Sequence, residues 1–365
     1  MTPFWGETAT STGWRLYGQM ANSGGEHRAI IYLTDRGSCV TVDHMNYPKT
    51  LREAILYFAE YDNCRSFLIG LRWPDGKVRC PHCNSDHVAY LESAKLYKCY
   101  GKHPKAKFSL KVGTIFEDSP LGLEKWLPAM WLVVNAKNGI SSCEIARALG
   151  ITQKSAWHMA HRIRFALRHG SFDSMLCGEV EADETYIGGK LKNMHKSKRP
   201  AEASKKRGAV GKAIVVGMLE RRGRVRAEVV FERTTKVLHQ LANENLAPGT
   251  TLITDEWGGY KGTDFEHQII NHAIEYVNGH IHTNGIENFW SLLKRGINGT
   301  YVSVEPFHLS RYLDEQIFRY ENRATPDNPL NDLDRFTLAC SQIIGKRLTW
   351  DSLTGKEMDG RTRVN

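Results

Sequence analysis

HTNGIENFWSLLKRGINGT, residues 282–300, opens with turn-formers and continues with a helical period. Asn284 and Gly285 interrupt the preceding run, and Thr283 or Asn284 is placed to cap a helix. Ile286, Phe289, Leu292, Leu293 and Ile297 recur at helical intervals and form an apolar side. Glu287, Trp290 or Ser291, and Lys294 recur on another side, so a carboxylate and an ammonium share one face two turns apart. Taken alone, this is an amphipathic surface helix with an ordinary charge pair. Two aspartates upstream change its meaning.

Asp183 lies in EVEADETYIGGK, where Val180, Ala182 and Glu184 alternate with Glu181, Asp183 and Thr185 until Gly188-Gly189 ends the run. Asp255 ends the β-branched run TTLITD and precedes the loop Glu256-Trp257-Gly258-Gly259. An acidic residue where a strand meets a loop is usually a turn or cap residue. It is also well placed to hold a metal, because the scaffold is rigid and the loop side is open. Two such aspartates and a helix-borne glutamate could supply oxygen ligands to a pair of Mg²⁺ (or Mn²⁺) ions. Ions so paired sit roughly 3.5–4 Å apart and clamp the attacking and leaving oxygens of a phosphodiester.

ADETYIGGK, TDEWGGY, HTNGIENFWSLLKRGINGTY and HLSRYLDEQIFRYENR together resemble the transposase domain of bacterial insertion sequences, specifically the insertion-sequence 1595 (ISXO2-like) group related to Merlin elements. The likeness spans residues 60 to 325. It implies an α/β (α+β) chain: an RNase H-like DDE domain with a mixed five-stranded sheet, preceded by a zinc ribbon and a helix-turn-helix region. It also implies a transposase that binds terminal inverted repeats, cleaves DNA with Mg²⁺, and joins the freed end to target DNA. On that resemblance Asp183 and Asp255 match the first two catalytic aspartates, and Lys294 matches a helical lysine near the scissile phosphate. Some members carry Asn at the third position, so Asn284 and Asn288 stand as alternatives to Glu287. Glu287 is preferred because Lys294 lies seven residues on and a carboxylate is the better ligand for a hard cation. Synapsis of two ends implies a homodimer or larger assembly, working in the bacterial cytoplasm at the nucleoid. Two rival readings stand beside this one. One is a zinc-ribbon/helix-turn-helix regulator with an inactive nuclease-like domain; the other is an RNase H-like nuclease without strand transfer.

Length and composition fit these expectations. At 365 residues, 41% hydrophobic, the chain can build two or three cores. A net charge of +9 favours a polyanionic partner such as double-stranded DNA. No apolar run reaches membrane-spanning length, no signal-peptide pattern opens the chain, and a membrane partner is not expected. Eight cysteines with three in metal-ligand spacing fit a reducing compartment. Cys39, Cys64, Cys143, Cys177 and Cys340 read as inert thiols.

Residues 1–44, rich in Gly, Ser and Thr, lie outside the resemblance and read as a loose extension of unknown role. Residues 45–76 read as a helical lead-in, with Leu51, Ile55, Leu56 and Phe58 as packing positions. Residues 77–117 read as the zinc ribbon: Cys80-x2-Cys83 forms one knuckle, and Cys99-x3-His103 closes it. Two close pairs across a hairpin suit a tetrahedral Zn²⁺, and four protein ligands leave no open catalytic position. His82 or His87 is the fallback for His103. Lys102, Lys105, Lys107 and Lys111, with Tyr97, Tyr100 and Phe108 between them, form a basic-aromatic face for phosphates or a plain solvated one.

Residues 118–170 read as helices ending in a helix-turn-helix. Ser141 or Ser142 caps the first helix, Gly150 makes the turn and Thr152 caps the second. That second helix carries Gln153, Lys154, Ser155, His158, His161 and Arg162; the first three are the best DNA-contact candidates, against a hairpin that merely packs. In the DDE domain, residues 176–325, strands are expected at Glu179–Gly188, Ala213–Leu219, Val225–Phe231 and Thr250–Thr254. A helix is expected at Thr235–Leu246. Between the first two strands lies a basic loop whose Lys198, Arg199, Lys205, Lys206 and Arg207 suit a clamp on DNA, or a solvated linker. Residues 267–282 read as a His-rich loop, with His282 placed to touch a phosphate or the attacking water. Residues 326–365 read as a C-terminal helix and tail.

Overall fold

The structure, a computed structural model, describes the backbone of 29–33 and 39–43, and residues 47–168, 175–189, 211–221, 223–255, 258–270, 283–326 and 329–355. Two compact units form, one mainly from residues up to 168 together with 322 onward, the other mainly from 169–321.

In the first unit, β1 (Ala29–Leu33) and β2 (Cys39–Asp43) pair antiparallel. Helices α1 (Leu51–Ala59) and α2 (Tyr61–Arg72) follow, with Thr50 capping α1 by accepting from the Glu53 amide. Phe58 is fully buried, but Ile55 and Leu56 are solvent-exposed, so the expected packing face of α1 is narrower than its apolar pattern. The small sheet β3 (Val88–Leu91), β4 (Leu96–Cys99) and β5 (Lys107–Phe108) comes next.

Then come α3 (Leu123–Asn135), α4 (Ser142–Leu149) and α5 (Gln153–Leu167). Ser141 caps α4 in a reciprocal box with Glu144, and Gly150 takes the left-handed φ of 62° that the turn requires. Helix α9 (Asp332–Ser341) packs in this unit although it lies far along the chain: the Phe336 ring stacks on Phe67 and leans on Phe58 and Trp131 at 5.1–5.5 Å. The short α10 (Trp350–Leu353) closes the described chain. Among the described residues no helix is long and apolar enough to cross a membrane.

The second unit is built on one five-stranded sheet. Its strands are β6 (Glu179–Ile187), β7 (Ala213–Glu220), β8 (Val225–Val230), β9 (Thr251–Thr254) and β10 (Glu266–Ile269). Helix α6 (Thr235–Asn245) precedes β9, and α7 (Asn284–Arg295) and α8 (Leu309–Glu321) follow the sheet. The strand order is β10-β9-β6-β7-β8, antiparallel from β6 to β8 and parallel from β6 through β9 to β10. This is the RNase H-like order. The fifth strand falls partly on the segment expected as a His-rich loop. His267 lies in it, with Nε2 at 2.8 Å from Thr254 Oγ1 on the neighbouring strand.

Alternation divides the sheet cleanly. Val180, Ala182, Val216 and Met218 face α6 in one core, while Ile187, Val215, Leu219, Val225 and Ala227 face α7 and α8 in the other. Leu309, Leu313, Ile317 and Tyr320 of α8 lie in that second core as their spacing predicts. Arg311 and Arg319 of the same helix are buried; Arg319 pairs with the fully buried Glu315, since a charge taken from water needs a partner.

Candidate active site and metal centre

Strand β6 sets the acidic site. Its odd positions, Glu181 and Asp183, point to the face covered by α7, and the side chain of its even position Glu184 is buried and paired with the partly exposed Arg233, whose Nη1 lies 3.2 Å from Glu184 Oε2. The β6–β9 register pairs Glu181 with Ile253, an offset of 72 residues (253 − 181) that carries Asp255 alongside Asp183 just past the last paired residues. Asp255 thus follows β9 directly, at the strand end its sequence predicts, whereas Asp183 lies in the middle of β6 and not at its end, because β6 runs on four residues to Ile187 against β7. Asp183 is largely buried, and burial first, then the negative charges of Asp255 and Glu287, push its carboxyl up to about 6. Hydrogen bonds from the Glu184 amide (2.8 Å) and the Trp290 indole (3.0 Å) work against that rise. Asp255 and Glu287 thus lie within electrostatic reach of Asp183, although among the described residues only the cysteine cluster brings three or more potential ligand atoms within metal-holding distance of one another.

Helix α7 brings the third acid. Its N-cap is Thr283, whose hydroxyl makes no capping bond and instead donates to Glu287 Oε1 at 3.3 Å. The helix amide of Ile286 is satisfied from outside, by Glu181 Oε2 at 2.9 Å. Asn284, Glu287, Asn288 and Lys294 are all exposed on α7. Trp290, grouped in sequence with the Glu287 face, is buried and reaches Asp183. Neither the Glu181 cap nor the Trp290 contact was visible in the sequence, since each links positions more than a hundred residues apart. Lys198, Arg199, Lys205, Lys206, Arg207 and His282 lie outside the described residues.

The cysteine cluster belongs to the other unit. The ligand atoms of Cys80, Cys83, Cys99 and His103 all lie within 4.8 Å of one another. Cys80 Sγ is 3.4 Å from His103 Nε2, and Cys83 Sγ is 3.6 Å from Cys99 Sγ. A tetrahedron of Zn–S bonds about 2.3 Å long has edges of about 3.8 Å, so this donor set fits the ion. Gly101 makes the approach possible, because a Cβ there would sit 3.0 Å from Cys83 Sγ, and its amide donates to Cys99 Sγ at 3.2 Å. The His82 ring lies tilted beside His103 and is not in the cluster; His87 packs on Tyr100 instead.

The basic-aromatic face of the ribbon does not survive as one surface. Tyr97 and Phe108 are buried and stacked, and Lys111 Nζ is tied to the Ser119 and Leu121 carbonyls. Lys102, Lys105, Lys107 and Tyr100 remain exposed. On α5, Gln153 and Lys154 are exposed and Ser155 half-buried; Gln153 Nε2 donates to Ser142 Oγ, and Lys154 Nζ lies 4.8 Å over the Trp350 ring. His161 and Arg162 of the same helix face inward, Arg162 over the Trp126 ring, and are not surface groups.

A mixed five-stranded sheet in this order, with one acid on its middle strand and another directly after the neighbouring parallel strand, defines the RNase H-like class. Residues 175–321 match the ISXO2-like transposase domain and residues 61–101 match the transposase zinc-ribbon domain. The chain belongs to the insertion-sequence 1595 (ISXO2-like) group of transposases. It is 26% identical over 268 residues to an uncharacterised protein in transposable element ISH50 of Halobacterium salinarum, covering 70% of this chain and 89% of that protein. It is 30% identical over 97 residues to an uncharacterised transposase-like protein of Haemophilus influenzae, covering 26% of this chain and 78% of that one. Among solved structures, the Mos1 strand transfer complex aligns at 12% identity over 59% of this chain and 75% of that chain, with a TM-score of 0.25.

Two outcomes follow from these sites. Replacing Cys80 with Ser should remove about one equivalent of zinc per chain, read by atomic absorption on the purified protein. Asp183 carries a folded-state pKa above its unfolded value, so the native state holds that proton more tightly and stability falls as pH rises from about 4 through about 6. Metal-free protein should lose about 1–3 kcal/mol at this position over that interval. Asp183→Asn should remove that part of the slope in urea unfolding.

Proposed function

We propose that Asp183, Asp255 and Glu287 hold divalent ions, Mg²⁺ or Mn²⁺, for cleavage of DNA at the ends of a mobile element and its joining to target DNA. The observation that supports this most is their placement: a mid-strand aspartate on β6, a second aspartate brought alongside it by the β6–β9 register, and a helical glutamate within electrostatic reach of the first. An all-oxygen, negatively charged donor set suits hard cations. Bound there, such ions would supply Lewis acidity and charge neutralisation for in-line attack at phosphorus.

The chain's own groups do the rest. The Glu184 amide and the Trp290 indole hold Asp183 as a pure acceptor. Lys294, exposed two helical turns beyond Glu287, offers a point charge to a phosphate of the transposon end. Asn284 and Asn288, exposed one turn from or beside Glu287, are the alternative third ligands. In the other unit, Gln153, Lys154 and Ser155 at the start of α5 are the groups that would meet terminal inverted repeats, with the zinc-held ribbon as a second contact. Lys198, Arg199, Lys205, Lys206 and Arg207 would add sequence-independent hold on the same double-stranded DNA. Pairing two ends asks for two or more copies of the chain.

Asp183→Asn should abolish Mg²⁺-dependent cleavage of inverted-repeat DNA while gel-shift affinity changes less than about 3-fold, since a lost metal ligand leaves the phosphate and base contacts in place. Cleavage that persists in a folded variant defeats the reading. Glu287→Gln, compared with Asn284→Ala and Asn288→Ala, should be the inactive member; loss confined to an asparagine variant reassigns the third ligand. Joined product from pre-cleaved ends separates a transposase from a nuclease that only hydrolyses.

A further inference from the structure

Trp290 and Gly217 form a contact that the metal reading does not by itself require. Gly217 of β7 is the residue paired with Asp183 of β6. A Cβ at 217 would lie 2.4 Å from Trp290 Cζ2, 2.5 Å from Cη2 and 3.1 Å from Ile286 Cδ1. The glycine is therefore a slot, and the indole lies against bare backbone beside the aspartate. From that slot Trp290 Nε1 donates to Asp183 Oδ2 at 3.0 Å, while the Glu184 amide donates to Oδ1 at 2.8 Å. Each carboxylate oxygen accepts up to two hydrogen bonds, so one donor on each leaves the opposite lone pairs for a cation.

A second hydrogen bond runs in register with the first. Glu181, two residues before Asp183 and on the same face, accepts from the Ile286 amide, one helical turn before Trp290. Gly285 allows this approach, because a Cβ there would stand 2.8 Å from Glu181 Oε2. Two residues along a strand span about 6.6 Å and one helical turn rises about 5.4 Å, so the two rungs match. A slip of α7 by one residue would break both.

We infer that Trp290 is a positioning residue: its indole N–H fixes the Asp183 carboxylate and, with the Glu181 rung, sets the register of α7 so that Glu287 faces Asp183. The inference rests on the reading of these acids as the metal-binding set. Indole suits the task because it donates without accepting and without adding charge. Lysine or arginine in its place would compete with the cation, and a hydroxyl or amide could itself become a ligand.

The test uses the full chain with its zinc in place. Trp290→Phe keeps a ring in the slot and removes the donor. A benzothienylalanine at 290 keeps the bicyclic shape and lacks only the N–H. Gly217→Ala drives the indole from the slot. Mn²⁺ binding without DNA, followed by the electron paramagnetic resonance of free Mn²⁺, should weaken about 10-fold or more in each, the usual loss when a partner of a metal ligand is removed. Half-saturating Mg²⁺ for cleavage should rise by a similar factor, with turnover at saturating Mg²⁺ recovering to near the parent value.

The isostere decides if the other two variants fold poorly. Parent-like Mn²⁺ binding by the benzothienyl protein, with binding lost in Asp183→Asn, overturns the inference and leaves the functional reading standing. Reduced turnover with an unchanged metal dependence overturns it as well, since that marks a merely structural tryptophan. Should Asp183→Asn leave Mn²⁺ binding intact, the metal reading falls and takes this inference with it.

Discussion

Two carboxylates at consecutive positions on one face of a central strand must leave water without losing their partners, and much of the second unit is arranged around Glu181 and Asp183. A buried carboxylate left unmatched costs several kcal/mol. Here each receives a donor from α7: Glu181 the Ile286 amide, Asp183 the Trp290 indole. Glu181 also lies 3.5 Å from Arg221, so its charge is partly balanced. For Asp183 no ion pair is found among the described residues; burial first, then the charges of Asp255 and Glu287, raises its pKa. The pair therefore has two characters. One acid is satisfied and structural; the other is held in place and left negative, the condition in which a divalent ion gains most by binding.

The cysteine cluster and the proposed acidic site would use opposite chemistry to different ends. Three sulfurs and one imidazole, packed at tetrahedral spacing, close around a borderline-soft ion and leave no place for substrate. That suits a ribbon with three short strands, one of them two residues long, which has little core of its own. The proposed acidic site is all oxygen and includes an exposed glutamate, a side from which a phosphodiester would approach.

How much of this was readable along the chain depends on the range of the interaction. Alternation in EVEADETYI already sets Glu181 and Asp183 on one face, and the β-branched run before Asp255 already makes a strand; both are local patterns and both are found. The fifth strand hid because EHQI is a polar edge strand, with neither alternation nor an apolar run to mark it. Trp290 was readable as helical but not as inward, since its position at i+3 from Glu287 fits either face until the partner strand is known. Gly217 gives no local signal at all: a glycine inside AIVVGMLE looks like a weak point in a strand, and its reason is an indole 73 residues further on (290 − 217). Arg162 erred the other way, a polar residue held by the Trp126 ring of α3 and the Glu117 carbonyl rather than by its own helix.

The far end of α7 bears on what Lys294 can do. Beyond Arg295 the helix widens into a π-helical turn, Gly296–Tyr301, instead of stopping. The Tyr301 hydroxyl meets Glu315 of α8, which Arg319 also grips, and Tyr301 packs on Tyr312 at 4.7 Å. Helix α7 is thus held at its first turn by Glu181, in its middle by Asp183, and past its end by α8. Glu287 and Lys294 ride on the exposed side of a rod fixed at three points. Their separation is then set by helix geometry, about 10.5 Å of rise over seven residues, and not by loop conformation. In the proposed roles, a carboxylate for a cation and an ammonium for a phosphate, that constant spacing would make α7 a ruler on which a DNA backbone is laid.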